Sequence, residues 1–281
     1  MKKPFKLRKK DINNLLVTLA LLIVSLLFII PVFYCIFTSV KTSQEIMQDV
    51  TFFPHRLTWE NYEYVFARGA KYLKFYWNTI VVTVSTVLIT VVMSSLAGYA
   101  FARLPFKGSN TLLAAILFVL TFPLTALLIP IYMMEFKLGM LNTYIGLILP
   151  NIICVLPFSI FITRGTFRGL PQELEDSAEI DGCGVVRTWW NIMLPMAKNA
   201  LVIVIVSAFY NVWGEYTIAK TLATRESIMP ISVALTLRKG EDWNYGVLGA
   251  AITMSIIPPI AVFTVFQNQL VEGMVAGAVK G

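Results

Sequence analysis

The feature that most constrains this chain is a recurrence of long apolar runs. Windows with few charges fall at about 15 to 38, 77 to 101, 111 to 134, 143 to 163, 199 to 219 and 246 to 267. A helix rises 1.5 Å per residue, so about 20 apolar residues are needed to cross roughly 30 Å of hydrocarbon. All six windows meet that length. The whole chain agrees with them: 57% of its residues are hydrophobic and 14% charged, with a mean hydropathy of +0.72. An ordinary soluble domain is excluded, and the expected fold is an all-α polytopic membrane protein with six transmembrane helices. The first run is far longer than the apolar region of a signal peptide and has no small-x-small cleavage site, so it is expected to remain as a membrane helix.

Charge sets the expected orientation. Six of the 23 basic residues lie in the first ten positions, MKKPFKLRKK, beside the first apolar run. That placement fits a membrane-surface anchor on the cytoplasmic side better than a nucleic-acid site. Six spans then put both termini in the cytoplasm. Across all loops the count is 13 basic residues inside against 10 outside, so the orientation rests mainly on the first helix. The expected division is a cytoplasmic basic N-terminus over residues 1 to 14, a transmembrane domain over 15 to 268 and a cytoplasmic tail over 269 to 281.

The loops hold no catalytic constellation. His55 is the only histidine, so no metal cluster or Ser/His pair can be assembled from this chain. Cys35, Cys154 and Cys183 are far apart and lack metal spacing, which predicts free thiols. No phosphate-binding glycine loop, Gly-x-Ser-x-Gly or paired Cys motif occurs. The chain therefore reads as a non-enzyme that binds no cofactor itself. Ion-coupled carriers place ionisable residues inside the membrane, and Glu215 near the end of the fifth window is the one candidate. An ATPase partner is the better energy source, with an ion-coupled secondary carrier as the rival.

Helix-packing signals are present in the spans. Ser94, Gly98 and Ala102 recur every fourth residue and would let a neighbouring helix approach closely. That neighbour is either a partner subunit or another helix of this chain. Prolines at 123, 130, 150, 157, 258 and 259 predict bends.

The ordered polar island Leu174 to Pro195, LEDSAEIDGCGVVRTWWNIMLP, interrupts this apolar pattern. Glu173 to Ile180 reads as a short helix. Gly182 and Gly184 release the backbone, and a second short helix places Trp190, Ile192 and Leu194 toward apolar surroundings until Pro195. The result is a bent helix-turn-helix knob presented to water. Asp176, Ser177 and Ala178, then Gly182, then Ile192, Leu194 and Pro195 keep every interval of the EAA loop, and the stretch resembles that loop of binding-protein-dependent ABC importer permeases. Asp176 stands where Glu is usual and Ser177 where Ala is usual. AGYAFARLPFKG, KLGMLNTYIGLILP, LPFSIFITRGTFRGLPQELED and the ending QNQLVEGMVAGAVKG resemble the sugar-importer branch, on its maltose-type second permease subunit.

The resemblance implies a coupling loop over about residues 164 to 198 that docks into a cleft on an ATPase. Asp176 and Asp181 would supply exposed charge there. Ser177 fills the second motif position, Ala178 would allow close approach, Gly182 the bend and Pro195 a stiff exit. The tail residues Gly277, Val279, Lys280 and Gly281 would also reach the ATPase pair. Implied partners are a sibling permease in a heterodimer, two ATP-binding subunits using ATP-Mg, an extracytoplasmic sugar-binding protein and membrane lipid. In FYNVWGEY, Phe209 to Tyr216, aromatic faces can stack on sugar rings with Asn211 and Glu215 as hydroxyl partners. Tyr210, Asn211, Trp213 and Glu215 are thus the candidate substrate pathway, and an interfacial aromatic belt is the alternative. The expected activity is inward transport of a sugar or oligosaccharide by alternating access. Importers of a glycerol phosphodiester or a polyamine are alternatives.

Overall fold

The computed structural model describes residues 9–48, 51–67, 70–104, 106–237 and 244–278. Among those residues every regular element is helical. Four helices are long and apolar enough to cross a membrane: residues 13–39 of α1 (Lys9–Ser39), 71–103 of α4 (Ala70–Arg103), all of α7 (Tyr144–Gly169) and 245–270 of α14 (Tyr245–Ala278). The third predicted window is a bent pair instead, and the fifth holds only the second helix of another such pair, whose first helix and bend precede the window. Ser109–Thr121, containing α5 (Ser109–Phe118) and a 3-10 turn, meets α6 (Leu124–Lys137) at 103°. Val185–Met196 meets α11 (Lys198–Trp213) at 78°. The six expected spans therefore become four unbroken helices, or six if each bent pair crosses once.

The first bend follows from Pro123. Its ring disfavours a helical conformation at the preceding residue, and Phe122 is extended at φ −83, ψ 129, as is Pro123 at φ −67, ψ 128. The second occurs at Ala197, φ −88, ψ 9. By contrast, Pro31, Pro130, Pro150, Pro157, Pro258 and Pro259 all lie inside helices. Helix α4 also starts seven residues before its apolar window, because Tyr72 and Phe75 are buried while Lys71 and Lys74 stay exposed. The expected external segment 39–75 includes two short helices, α2 (Ser43–Gln48) and α3 (Glu60–Ala67).

Two compact units divide the chain: residues 1–70 with 239–254, and residues 71–238 with 255–281. In the first, Asn61 Nδ2 donates to the carbonyls of Ser39 (2.9 Å) and Lys41 (2.8 Å), holding α3 to the end of α1. The opening of α14 comes so close that a Cβ on Gly246 would lie 2.5 Å from the Asn61 side chain. Every residue from 13 to 34 of α1 is exposed.

In the second unit α4 and α7 cross at Gly98, where a Cβ would lie 2.1 Å from Thr163 Oγ1 and 2.8 Å from Arg164 N. Thr163 Oγ1 donates to Ser94 O across this crossing at 2.7 Å. The small-residue seam at Gly98 is filled from within the chain. Helix α11 packs along α7, and α12 (Thr217–Leu222) packs against α6 and α7. Near the start of α4, Asn78 Nδ2 donates to the carbonyls of Ser227 (3.2 Å) and Met229 (2.9 Å), while its Oδ1 accepts from Tyr144 Oη at 2.7 Å. Asn142, in the left-handed region at φ 59, accepts from the backbone N–H of Thr224 (2.7 Å) and of Arg225 (2.8 Å). These two asparagines fasten the segment between α12 and α13 (Ile231–Ala234) to the bundle.

Candidate functional site

The polar island forms a two-armed loop between α7 and α11. Its first arm is α8 (Glu173–Ile180), with Glu173, Glu175 and Asp176 in the first turn, where negative charge favours the helix dipole. The arm ends in a defined cap: Cys183 N–H donates to Ala178 O (2.8 Å) and Gly182 N–H to Glu179 O (3.0 Å). This pair of bonds requires a left-handed residue between helix and exit, and Gly182 supplies it at φ 77. Gly184 is extended and opens the second arm, so only one of the two glycines needs its conformational freedom.

The second arm is α9 (Val185–Thr188), a π-helical turn at Trp189–Met193 and α10 (Leu194–Met196). Trp189 is 8% exposed and Met193 0%, whereas Trp190 is 61% exposed. The expectation that Trp190, Ile192 and Leu194 would share an inward face is corrected for Trp190; Ile192 and Leu194 are half-buried. Residues two apart point to opposite sides of a helix, whereas residues four apart stack, so Trp189 and Met193 form the inner face. With Tyr99, Phe167 and Ala197 they make one buried cluster, in which Tyr99 meets Phe167 edge-on at 5.6 Å.

The first arm rests on the same floor through polar contacts. Tyr99 Oη donates to Glu175 Oε1 at 2.7 Å, and Arg103 Nε pairs with Glu175 Oε2 at 3.1 Å. Arg103 also donates from Nη1 to Gln172 Oε1 at 2.6 Å and from Nη2 to Leu170 O. The Arg103 and Glu175 side chains retain only 10% and 13% exposure. One guanidinium thus ties the exit of α7, the start of α8 and the end of α4 together.

Beyond this root the loop is open. Asp176, Ser177, Asp181, Gly182 and Pro195 are exposed, together with Glu173, Glu179 and Arg187. Ser177 Oγ donates to its own helix at Glu173 O (2.7 Å). Ala178 is turned inward at 2% exposure, so its small side chain lets α8 approach its own chain.

The four aromatic and polar candidates around α11 are divided. Tyr210 and Asn211 are exposed; Tyr210 Oη donates to Pro259 O (2.8 Å), and Asn211 Nδ2 to Ser207 O in its own helix (2.8 Å). Trp213 is 8% exposed, with Nε1 donating to Ser255 O at 3.0 Å and its ring stacked on Phe209 at 5.4 Å. The Glu215 carboxylate accepts from the N–H of Ile218 (2.7 Å) and of Ala219 (2.9 Å), capping α12. Glu215 also borders a small cavity with Thr79, Thr83 and Asn151. Of the tail candidates, Gly277 falls in the last helix, and Val279, Lys280 and Gly281 lie outside the described residues.

Sequence reasoning assigned no role to Tyr99, Arg103, Gln172 or Glu175. The signal available was a basic residue closing α4 and an acid-rich first turn in α8, but nothing in their spacing paired them.

Comparison with known proteins identifies the family. The family model described as binding-protein-dependent transport system inner membrane component matches residues 91–275, a stretch that includes both arms and their floor. The chain belongs to that family. It is 32% identical to the sulfoquinovosyl glycerol transport system permease protein SmoH of Agrobacterium fabrum, over 93% of this chain and 92% of the relative. It is 30% identical to the arabinooligosaccharides transport system permease protein AraQ of Halalkalibacterium halodurans, over 98% of this chain and 100% of the relative. A solved bacterial ABC transporter involved in the import of the acidic polysaccharide alginate has a chain matching at a TM-score of 0.84 and 26% identity, over 95% of this chain and 99% of that one. As an inner-membrane transport component, the chain is the permease part of such a system and not its ATPase.

Proposed function

We propose that this chain is one permease subunit of an ABC importer for a sugar or oligosaccharide, working beside a sibling permease and two ATP-binding subunits that use ATP-Mg. The relatives are named as permease proteins of sulfoquinovosyl glycerol and arabinooligosaccharides transport systems, and the solved transporter is involved in the import of the acidic polysaccharide alginate; a sugar-containing solute is common to the three. The observation that carries the reading is the loop between α7 and α11, which keeps the EAA spacing. Its acidic residues, including Asp176 and Asp181, are exposed, on a root buried against α4 and α7.

In this reading the loop lies in the cytoplasm with both chain termini. Asp176, Ser177, Asp181, Gly182 and Pro195 form the surface that meets the ATPase, Ala178 supports the helix from behind, and the tail from Gly277 to Gly281 adds a second contact. A sugar-loaded binding protein delivers solute at the opposite side. ATP-driven closure of the ATPase pair moves the coupling loops and alternates access. Tyr210 and Asn211 are exposed and available to solute, whereas Trp213 and Glu215 support that region by packing and capping. The apolar surface of α1 meets lipid or the sibling subunit.

The test is affinity purification of the tagged chain from its native membranes in mild detergent, with mass spectrometry of what co-elutes. Recovery of a second multi-span permease and an ATP-binding subunit, with ATP hydrolysis by the eluate, is expected. Recovery of the chain alone, folded and transport-competent, would overturn the reading.

A further inference from the structure

We propose that Tyr99, Arg103 and Glu175 form a latch that makes the coupling helix α8 and the end of α4 move as one body, so that force received by the loop enters the bundle through α4. This inference rests on the importer reading above and adds the route by which the loop's motion reaches the spans. Two routes are open to a loop of this kind. Covalent connection carries displacement into α7 and α11, which flank it. Non-covalent contact can carry it into any helix the loop rests on.

Helix α4 is separated from α8 by more than 60 residues of chain, yet it supplies both polar partners of the Glu175 carboxylate. It also supplies Tyr99, whose ring lies on the floor that receives Trp189 and Met193 from the other arm. Both arms of the loop therefore bear on one turn of α4.

The chemistry of the contact suits transmission better than simple adhesion. A guanidinium presents several donors in a fixed plane, so contacts to Glu175, Gln172 and Leu170 O fix orientation as well as distance. Its near-complete burial weakens screening by salt relative to a surface pair. At Gly98, one turn further into α4, the helix touches α7 with no space for a Cβ. A displacement of α4 at Arg103 is thus delivered directly to the α4–α7 crossing. The three residues are positioning residues: none is among the exposed loop groups assigned to the ATPase contact.

The test measures one distance in the purified complex, in which the native cysteines have been replaced. Nitroxide labels are placed at Ile180, at the exposed end of α8, and at Leu104, just beyond α4. Pulsed dipolar spectroscopy is recorded without nucleotide and with ATP plus vanadate. In the parent the latch predicts one narrow distance, unchanged between the two conditions. In Glu175→Gln and Arg103→Gln it predicts a second population under ATP plus vanadate, displaced by about 5 Å, the size of a one-turn slip. Arg103→Lys, which keeps a positive charge opposite Glu175 but loses the planar fork, should give a smaller second population than Arg103→Gln under ATP plus vanadate and none without nucleotide, a graded response that a merely structural role for the residue would not predict.

A parent distance that itself shifts with nucleotide would overturn the latch. So would single variants that keep one distance in both conditions, or single variants broadened equally in both. If the parent chain co-purifies with no ATP-binding subunit, the importer reading fails and the latch fails with it. If the ATPase is present and the distances behave as in the overturning cases, the latch alone fails.

Discussion

The two ends of α4 hold their neighbours by different means. Near the start, Asn78 and the adjacent Thr79 grip the segment beyond α12 through its backbone: the carbonyls of Ser227 and Met229 and the N–H of Ile231, the last at 2.9 Å from Thr79 Oγ1. Asn142 adds the N–H groups of Thr224 and Arg225. These contacts are distributed along the segment, and side-chain identity there matters little because the bonds go to main chain. At the other end, Arg103 and Tyr99 hold the polar loop at its root only, through one carboxylate, one amide and one carbonyl. A segment fastened along its length behaves as part of the bundle, and one fastened at its root behaves as a lever. The difference separates a segment held as part of the bundle from a loop held only at its root, which is the arrangement the proposed coupling role requires.

The largest effect that tests the contrast should come from Arg103→Ala. Removing one partner of a nearly buried ion pair leaves the other charge desolvated, which costs about 3–5 kcal/mol. Trypsin cleavage after the exposed Arg187 in the detergent-solubilised chain reports opening of the loop, because proteolysis follows the population of the open form when reclosing is fast. A loss of about 3 kcal/mol raises that rate by about 100-fold, and cleavage after Arg225 should stay unchanged. If both sites accelerate together, the root is part of the general fold and the lever description is wrong.

Asn78→Leu is the reciprocal change, and its effect should be slightly smaller. It strips partners from two carbonyls and from the Tyr144 hydroxyl. At about 1–3 kcal/mol per unsatisfied buried group, and with some groups regaining water, a net loss of about 3 kcal/mol is expected. Cleavage after Arg225 should then rise while Arg187 is unaffected. The exposed pair Lys71–Glu226, 2.9 Å apart at 67% and 57% side-chain exposure, cannot make up the difference, because surface pairs contribute about 0–1 kcal/mol.

A smaller change at the shared support sharpens the comparison further. Gly98→Ala puts a Cβ where Thr163 Oγ1 already stands, and overpacking of this kind costs about 1–3 kcal/mol. Both ends depend on the α4–α7 crossing, so cleavage after Arg187 and after Arg225 should increase in parallel, with a lower thermal midpoint for the chain. An increase at only one site would mean that the two ends are supported separately.

These distinctions were unequally legible in the sequence. The apolar windows located all the long helices, since length and hydropathy are local properties. They did not show which windows bend sharply: Pro123 ends a helix while Pro130, Pro150 and Pro157 sit inside theirs. That outcome depends on what satisfies the freed backbone. The first arm of the loop, from Glu173 to Ile180, and its Gly182 exit could be read directly because helix and cap signals are short-range. The inner face of the second arm was misread, because an inward face at Trp190, Ile192 and Leu194 takes every second residue, whereas helical spacing stacks Trp189 on Met193. The anchor of Tyr99 and Arg103 on Glu175 spans more than 70 positions, and one ion pair among many charged residues has no spacing to betray it. Asn78 and Asn142 were invisible for the same reason.

The smallest expected effect lies at the free tip and tests whether the lever has a shaped end. A Cβ on Gly182 would have no atom within 4 Å, so a larger side chain meets no obstacle there. What a β-branched residue meets is the left-handed backbone itself, at a cost of about 1–2 kcal/mol. Gly182→Val should therefore leave the thermal midpoint almost unmoved and the root intact, while weakening the cap that closes α8 at Ala178 and Glu179. Cleavage after Arg187 should rise by about tenfold. Gly182→Asn, whose side chain tolerates the left-handed region, should remain close to the parent. Solute uptake should follow the same order, lost in the valine variant and retained in the asparagine variant with equal amounts of chain in the membrane. If valine transports as well as asparagine, the tip acts only through its exposed charge, and its backbone shape has no part in meeting the ATPase.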